Sequence, residues 1–501
     1  MRRAGRLLIT AAAALVAAGC GDGALWARYR AERDFWKACK EVDRIQLNPR
    51  LAPDAEYDRA LAAFRGLAEE FPPERWAAQP RTAAYAADVA EVSGMAALAL
   101  GQVEEMRGRI DRAERCYASA FERYRAVTTV SAEAAAGQAR ALARLGREDE
   151  AAAVWMEMSR VFPLVDEKRG LALEPALEAP LEAARALSGR AQAAAADSVL
   201  GAAVERYRRE FASRSGTEAA PAIGMKLAEA LERRREFDRS LDAWRRVLRE
   251  PALGADRPQV VLALAKGALE AGRPDTALVY TAWAGREFTG PAGAEARLMR
   301  ARAWETLSMA DSALVVYEGL VDSEPPGSEA QAQARFRRGE LLEKVGRWEE
   351  ARAEYRTLAA LQPAHELALA ALVRIVRHYA EQKEGELARI EGRRALELVD
   401  QLIATQRDDG VQMRGRRARA DLWLAMGEAG RACDALADLW QRYPAAPAGV
   451  EAGLEAAQVA ESGLRDRKRA MELYRGLLAG SAEPATQRQA QAALERLGRE
   501  P

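Results

Sequence analysis

The chain has 501 residues, 30% of them charged, with Lys plus Arg equal to Asp plus Glu at 75 each. Neutralising many phosphates needs a basic surplus or stripe, and without one nucleic acid is excluded as a partner. Ala, Leu, Arg and Glu dominate and the shortage of Val, Ile and Thr alternation gives no support for a sheet, which points to an all-α chain.

At the N-terminus Arg2, Arg3 and Arg6 form a basic n-region without acids, and Leu7 to Ala18 form an apolar run that ends in Ala17-Ala18-Gly19 before Cys20. The run falls short of the roughly 20 residues a spanning helix needs, so it reads as a secretory signal. Small residues leading into a cysteine resemble the bacterial lipobox, although Ala17 stands where leucine is common. That resemblance implies a signal peptide over 1–19, lipidation of Cys20 and a membrane anchor. In such lipoproteins Gly21, rather than an aspartate, after the cysteine implies the outer membrane, facing the periplasm. Loss of the three arginines leaves 72 basic against 75 acidic residues, a net charge near −3.

From there one pattern recurs to the end. A small residue (Ala60, Ala113, Ala151, Ser240, Ala277, Ala313, Ala351, Ala432, Ala470) precedes by four a larger one (Phe64, Tyr117, Trp155, Trp244, Thr281, Tyr317, Tyr355, Leu436, Tyr474). Three residues later an apolar one completes the stripe, as at Leu67, Met158, Val247, Leu320, Leu358, Leu439 and Leu477. Steps of four and three share one helix face, so the small residue admits a second helix closely while the large one fills the gap between units. Gly108, Gly146, Gly272, Gly346 and Gly427 each stand five before the small residue, where a helix ending in a sharp turn needs a left-handed residue. Prolines at 72, 163, 251, 325, 363 and 444 close many of the units. Two gaps, Ala151 to Ser240 and Ala351 to Ala432, each hide a degenerate unit, assigned to Ala203 with Tyr207 and to Ala395 with Val399. Gly170, Pro175 and Pro180 mark 164–180 as an irregular linker.

The clearest copy, Ala332 to Pro363, carries Gly339, Gly346, Ala351, Tyr355, Leu358 and Pro363 at the spacing of a tetratricopeptide unit. The resemblance implies an all-α, right-handed superhelical solenoid of about ten or eleven tetratricopeptide-like hairpins, arranged as 20–163, a linker at 164–180, and 181–501. Clear neighbours repeat every 36 to 38 residues rather than the usual 34. That spacing, with Ala-Phe-Arg-Gly-Leu-Ala-Glu-Glu-Phe-Pro from Ala63 to Pro72, resembles the BamD-type outer-membrane lipoproteins and related periplasmic tetratricopeptide proteins. It implies a lipid-anchored adaptor whose partners are envelope or secreted proteins.

No chemistry-bearing constellation stands out. His365 and His378 belong to no metal-spaced pair, Cys39, Cys116 and Cys433 lie singly with no CxxC, and no phosphate-cradling glycine loop or nucleophile elbow exists, so no enzyme activity, cofactor or metal is expected. Function is expected instead on the first helix of each hairpin. The candidates there are Glu133, Arg140 and Arg144; Met225, Glu229 and Arg233; Gln259, Leu262 and Lys266; Glu295, Leu298 and Glu305; Phe336, Glu340 and Lys344; and Arg417, Asp421 and Leu424. Mixed signs with interleaved apolar residues suit an extended peptide or partner helix. A carboxylate clamp built on asparagines is not matched, since Asn48 is the sole asparagine. Two rival readings are an accessory lipoprotein of a polysaccharide-export or pilus system, and an enzyme with its site at 164–180.

Overall fold

Helix-forming composition and the five-residue step from turn to small residue build antiparallel helix pairs throughout. The computed structural model describes residues 23–47, 49, 51–76, 83–189, 192–480 and 484–499; the signal segment, Cys20 and Asn48 lie outside them. Two compact units are present, Met1–Ala271 and Gly272–Pro501. Among the described residues the first unit holds five hairpins: Gly23–Leu47 with Asp54–Glu70, Ala83–Met106 with Ile110–Arg123, Thr128–Arg144 with Glu148–Val161, Glu174–Ser188 with Ala193–Ser213, and Ala220–Arg233 with Phe237–Val247. Helix Arg257–Glu270 follows them. The second unit opens with Pro274–Glu287 and also holds five: Gly290–Thr306 with Ala310–Ser323, Glu329–Lys344 with Trp348–Leu361, Glu366–Glu381 with Gly385–Thr405, Asp409–Ala425 with Ala429–Arg442, and Pro447–Gln458 with Arg467–Gly480. Pro484–Arg499 closes the described chain. This is the all-α stack of helical hairpins expected from the repeats.

The turns explain which copies the glycine pattern found and which it missed. At Gly346 the backbone closes as a Schellman motif, with Gly346 N donating to Glu343 O at 3.0 Å and Arg347 N to Leu342 O at 2.8 Å. Arg235, Ser308 and Lys383 occupy the same place with φ of 61°, 59° and 61°, and Lys383 N and Glu384 N make the same two bonds, to Ala380 O and Tyr379 O. An L side chain adopts that region at a cost, so these turns are held by the packing on either side rather than by local preference.

Five residues past each left-handed turn residue the small side chain is sealed in: Ala113, Ser240, Ala313, Ala351, Ala432 and Ala470 are all 0% exposed. At Tyr117 and Tyr355 the large side chain four residues on lies over a glycine of a facing helix. A Cβ on Gly339 would run into the Tyr355 ring, and one on Gly101 or Gly137 into that of Tyr117. Thr281, the one misfit, buries its hydroxyl by donating to Ala277 O at 2.8 Å.

Three expectations are corrected. The hidden units have second helices of 21 residues where most have 14. Their turn-proximal small residues are Ala196 and Ala388, placed by the turn bonds Gln192 N to Leu187 O and Glu384 N to Tyr379 O. Ala203 and Ala395 lie two turns further along the same buried face. The irregular segment ends sooner than residue 180: a two-residue antiparallel ladder pairs Val165 with Ala172, and helix Glu174–Ser188 then starts with Pro175 in its first turn and carries Pro180 inside it. A proline in the first turn forfeits only a donor with no partner in any helix, and Pro180 is buried in the stack. Nor does this loop divide the chain, because Glu148–Val161 packs on Glu174–Ser188 across it and the units part at Ala271.

Within each unit successive first helices touch. Thr128–Arg144 meets both Ala83–Met106 and Glu174–Ser188, and Glu366–Glu381 meets both Glu329–Lys344 and Asp409–Ala425, whereas second helices show no comparable mutual contact. The row of first helices is therefore the inner, concave side of each stack.

Lys383→Gly is expected to stabilise the protein by about 1 kcal/mol and Gly346→Ala to destabilise it by a similar amount, read as opposite shifts in melting temperature. Ala351→Leu should cost about 1–3 kcal/mol by overpacking the seam; an unchanged melting temperature would remove Ala351 from the helix contact.

Candidate binding face

In four seams the large residue reaches the inner face through its polar tip. Tyr117 Oη donates to Glu105 Oε2 at 2.8 Å, Trp244 Nε1 to Glu232 Oε1 at 2.6 Å, Tyr317 Oη to Glu305 Oε1 at 2.6 Å and Tyr355 Oη to Glu343 Oε2 at 3.2 Å. In each the glutamate stands twelve residues before the aromatic and three before the left-handed turn residue. The turn motif thus fixes the glutamate carbonyl while the aromatic fixes its carboxylate. Tyr474 repeats the bond to Glu461, one residue out of step, because a π turn at Val459–Gly463 adds a residue. Burial, aided by the neighbouring carboxylate, pushes the Tyr474 phenol up to about 12, and burial first and Glu105 second drive Tyr117 higher.

These carboxylates also face the following hairpin. Arg144 pairs with Glu105 at 3.2 Å and Lys344 with Glu305 at 3.8 Å. Arg374 contacts Glu343 at 2.7 Å and Glu340 at 3.2 Å, Arg337 contacts Glu340 at 2.7 Å, and His378 Nδ1 lies 3.2 Å from Glu343 Oε1. The His378 ring stacks on Trp348, their centroids 3.4 Å apart. Further along, Arg417 bridges Asp421 at 3.1 Å and Glu455 of the next hairpin at 2.6 Å. Burial raises the Asp421 carboxyl above its ordinary value, with Arg417 opposing. Arg374, Glu343 and Arg417 join adjacent hairpins into one charged strip on the inner side of the second unit.

The first unit has a different balance. Glu133, Glu174 and Glu178 lie within electrostatic reach of one another, and Lys226 sits 3.9 Å from Glu178 and 3.1 Å from Glu229. Burial lifts both the Glu133 and Glu174 carboxyls; Arg140 opposes at the first, Lys226 at the second. Arg233 pairs with Glu229 at 2.9 Å and donates to Leu181 O at 2.7 Å, tying two hairpins.

The residues singled out by sequence divide by exposure. Arg140, Arg144, Gln259, Lys266, Glu295 and Lys344 are exposed, and Met225, Glu229, Leu298, Glu305, Glu340, Arg417, Asp421 and Leu424 are half-buried. Leu262 and Phe336 are corrected: each is only 9% exposed, and Phe336 packs on Tyr355 at 5.8 Å between centroids, so both are core rather than groove. Glu105, Glu232, Glu343, Glu174, Arg374 and His378 are not among the residues singled out for this face, though a glutamate stands twelve residues before Tyr117, Trp244, Tyr317 and Tyr355. His365 caps helix Glu366–Glu381, Nδ1 accepting from Leu367 N at 3.1 Å while Nε2 meets Glu329 at 2.8 Å beside an open cavity of about 470 Å³. Cys39, Cys116 and Cys433 are free thiols, and burial raises each above its ordinary value.

Among the described residues no group of His, Cys, Asp and Glu is placed to hold a metal ion, and no helix is long and apolar enough to cross a membrane. No protein-family model matches the chain and no curated protein is similar to it. Among solved structures, it resembles a tetratricopeptide repeat protein from Parabacteroides merdae at 14% identity and TM-score 0.32, over 56% of this chain and 98% of that one. It also resembles yeast Tom70 at 12% and 0.36, over 88% and 96%, and human IFIT1 at 14% and 0.34, over 81% and 90%. Likeness this distant carries no functional argument, and the stack of helical hairpins is read from this chain's own helices.

Glu232 supplies a pH prediction. Burial raises its carboxyl above the ordinary 4.5, against hydrogen bonds from Trp244 and Ser240 that pull it down. A raised folded-state value favours the fold at low pH, and that contribution is lost as pH rises through it. Glu232→Gln keeps an acceptor for both donors and should raise the melting temperature at pH 7, the gain shrinking toward pH 4.5. A gain that does not change with pH would contradict this assignment.

Proposed function

We propose that this chain is a non-catalytic scaffold, tethered to the bacterial envelope by lipid at Cys20 and facing the periplasm, that holds polypeptide partners along the inner face of its first helices. The observation that carries the reading is the strip of half-exposed ion pairs running from hairpin to hairpin, as at Arg374 with Glu343 and Arg417 with Glu455. Both arginines keep about a third of their side chains in solvent, so a partner bearing complementary charges has access to them. The strip spans several repeats, which suits an extended segment or a helix laid along the row better than a small molecule in a pocket. The first unit, with Glu133, Glu174, Glu178 and Glu229 around Lys226, favours a basic segment. The lipobox before Cys20 supports the tether, and the Ala63 to Pro72 resemblance supports a place among envelope-assembly adaptors.

The test is in vivo crosslinking in a diderm host followed by purification from the membrane fraction. Recovery of defined envelope or secreted proteins, lost on the double charge reversal Arg374→Glu with Arg417→Glu, is the expected result. A partner set unchanged by that variant would contradict the inner face as the docking surface. Cys20→Ser should leave unprocessed precursor, and normal processing and fractionation would contradict the tether.

A further inference from the structure

The helix nearest the lipobox, Gly23–Leu47, carries an outer face unlike any solvated surface this composition would lead one to expect. Its inner side is fixed in the stack by Ala27, Ala31, Ala38, Val42 and Ile45, all at most 7% exposed. On the opposite side Trp26, Tyr29 and Trp36 stand 63%, 37% and 47% exposed, with Trp26 and Tyr29 stacked at 5.4 Å. Arg33, Lys37, Lys40 and Arg44, all exposed, share that side. At 3.6 residues per turn these seven positions fall in a stripe about 100° wide, with no acidic residue inside it. In a chain with as many acids as bases, a face made only of aromatic and cationic side chains is a strong departure. The acids that answer these cations stand at its margins: Arg33 and Lys37 reach Asp34 at 2.9 and 3.2 Å, and Arg44 reaches Glu41 at 3.6 Å. Lys40 instead lies over the Trp36 ring, 3.5 Å from its centroid.

We infer that this face of helix Gly23–Leu47 lies on the anionic headgroup surface of a bilayer, its aromatic rings at headgroup level and its four cations among lipid phosphates. Tryptophan and tyrosine favour that zone because their rings are apolar at one end and hydrogen-bonding at the other. Lys and Arg beside them meet the negative surface, and the exposed pairs with Asp34 and Glu41 yield readily to phosphate. The inference rests on the reading of Cys20 as the lipid anchor, because six peptide steps of at most about 3.6 Å each keep Trp26 within about 22 Å of the acyl chains. The buried core side of the helix leaves this face no freedom to turn inward.

The test uses the full chain, processed in a diderm host and reconstituted into phosphatidylethanolamine–phosphatidylglycerol vesicles whose acyl chains are brominated near the headgroup. Tryptophan fluorescence is compared in the wild type and in Trp26→Ser with Trp36→Ser, exposed sites whose loss leaves the core intact, as circular dichroism would verify. Quenching in the wild type that falls several-fold in the variant is the expected result, together with slower hydrogen exchange across 23–47 than in detergent. Mass spectrometry of the N-terminal peptide separates the two layers. Acylated Cys20 with equal quenching in both proteins overturns the membrane face and leaves the anchor standing; unmodified Cys20 overturns the anchor and the inference with it. Protection of 23–47 in native envelopes but not on vesicles would assign the face to a protein partner and overturn it as well.

Discussion

The rest of this structure depends on how closely the two helices of a hairpin approach just past their turn. Ala351, Ala313 and their equivalents have no exposed surface, and a single extra methylene there has nowhere to go. That approach fixes the left-handed turn residue five positions earlier and the aromatic four positions later, whose ring covers a facing glycine at Tyr117 and Tyr355. Where glycine is absent from the turn, as at Lys383, the seam holds the backbone in place anyway. Met426 from the following hairpin fills the space over Gly392, which stands where another unit has a tyrosine.

The same constraint creates the charged inner face. Once the aromatic is seated, its hydroxyl or indole nitrogen ends beside the carboxylate three residues before the turn, and that carboxylate is presented to the next first helix. First helices touch one another while second helices diverge, so these groups line the concave side without being designed singly for it. The seam thus sets both the stability of each hairpin and the periodicity of charge that a partner meets. The second unit spends that periodicity on cation–carboxylate links between hairpins and the first on a cluster of carboxylates around one lysine.

The fold was legible because its signals are local. Alanine, then an aromatic, at a fixed offset records a helix contact directly, and all of the clear markers lie where the spacing put them. The failures share a cause, which is that tertiary contact overrode a local rule. Proline at 180 reads as a breaker until its burial is seen, and Lys383 and Arg235 do not read as turn residues because the strain they bear is met by packing. In the two hidden units the 21-residue second helices shifted the choice of small residue by two turns, since the face repeats every seven residues. Phe336 looked available on a helical wheel, but it points toward Tyr355 in its own hairpin. The candidate site was half legible: Glu340, Lys344, Arg417 and Asp421 lie on the inner strip of the second unit and Arg144 on the first helices of the first unit, whereas Arg374 and Glu343 become notable only when neighbouring hairpins bring them to 2.7 Å.

The most direct measurement places a photo-crosslinking amino acid singly at Arg140 and Lys344 on first helices and at Val315, 67% exposed on a second helix, and irradiates cells. Discrete adducts at the two first-helix positions and none at Val315 are expected if the concave row is the docking surface. Adducts at Val315 with none at Arg140 or Lys344 would contradict it, and would move recognition to the outer side of the hairpins.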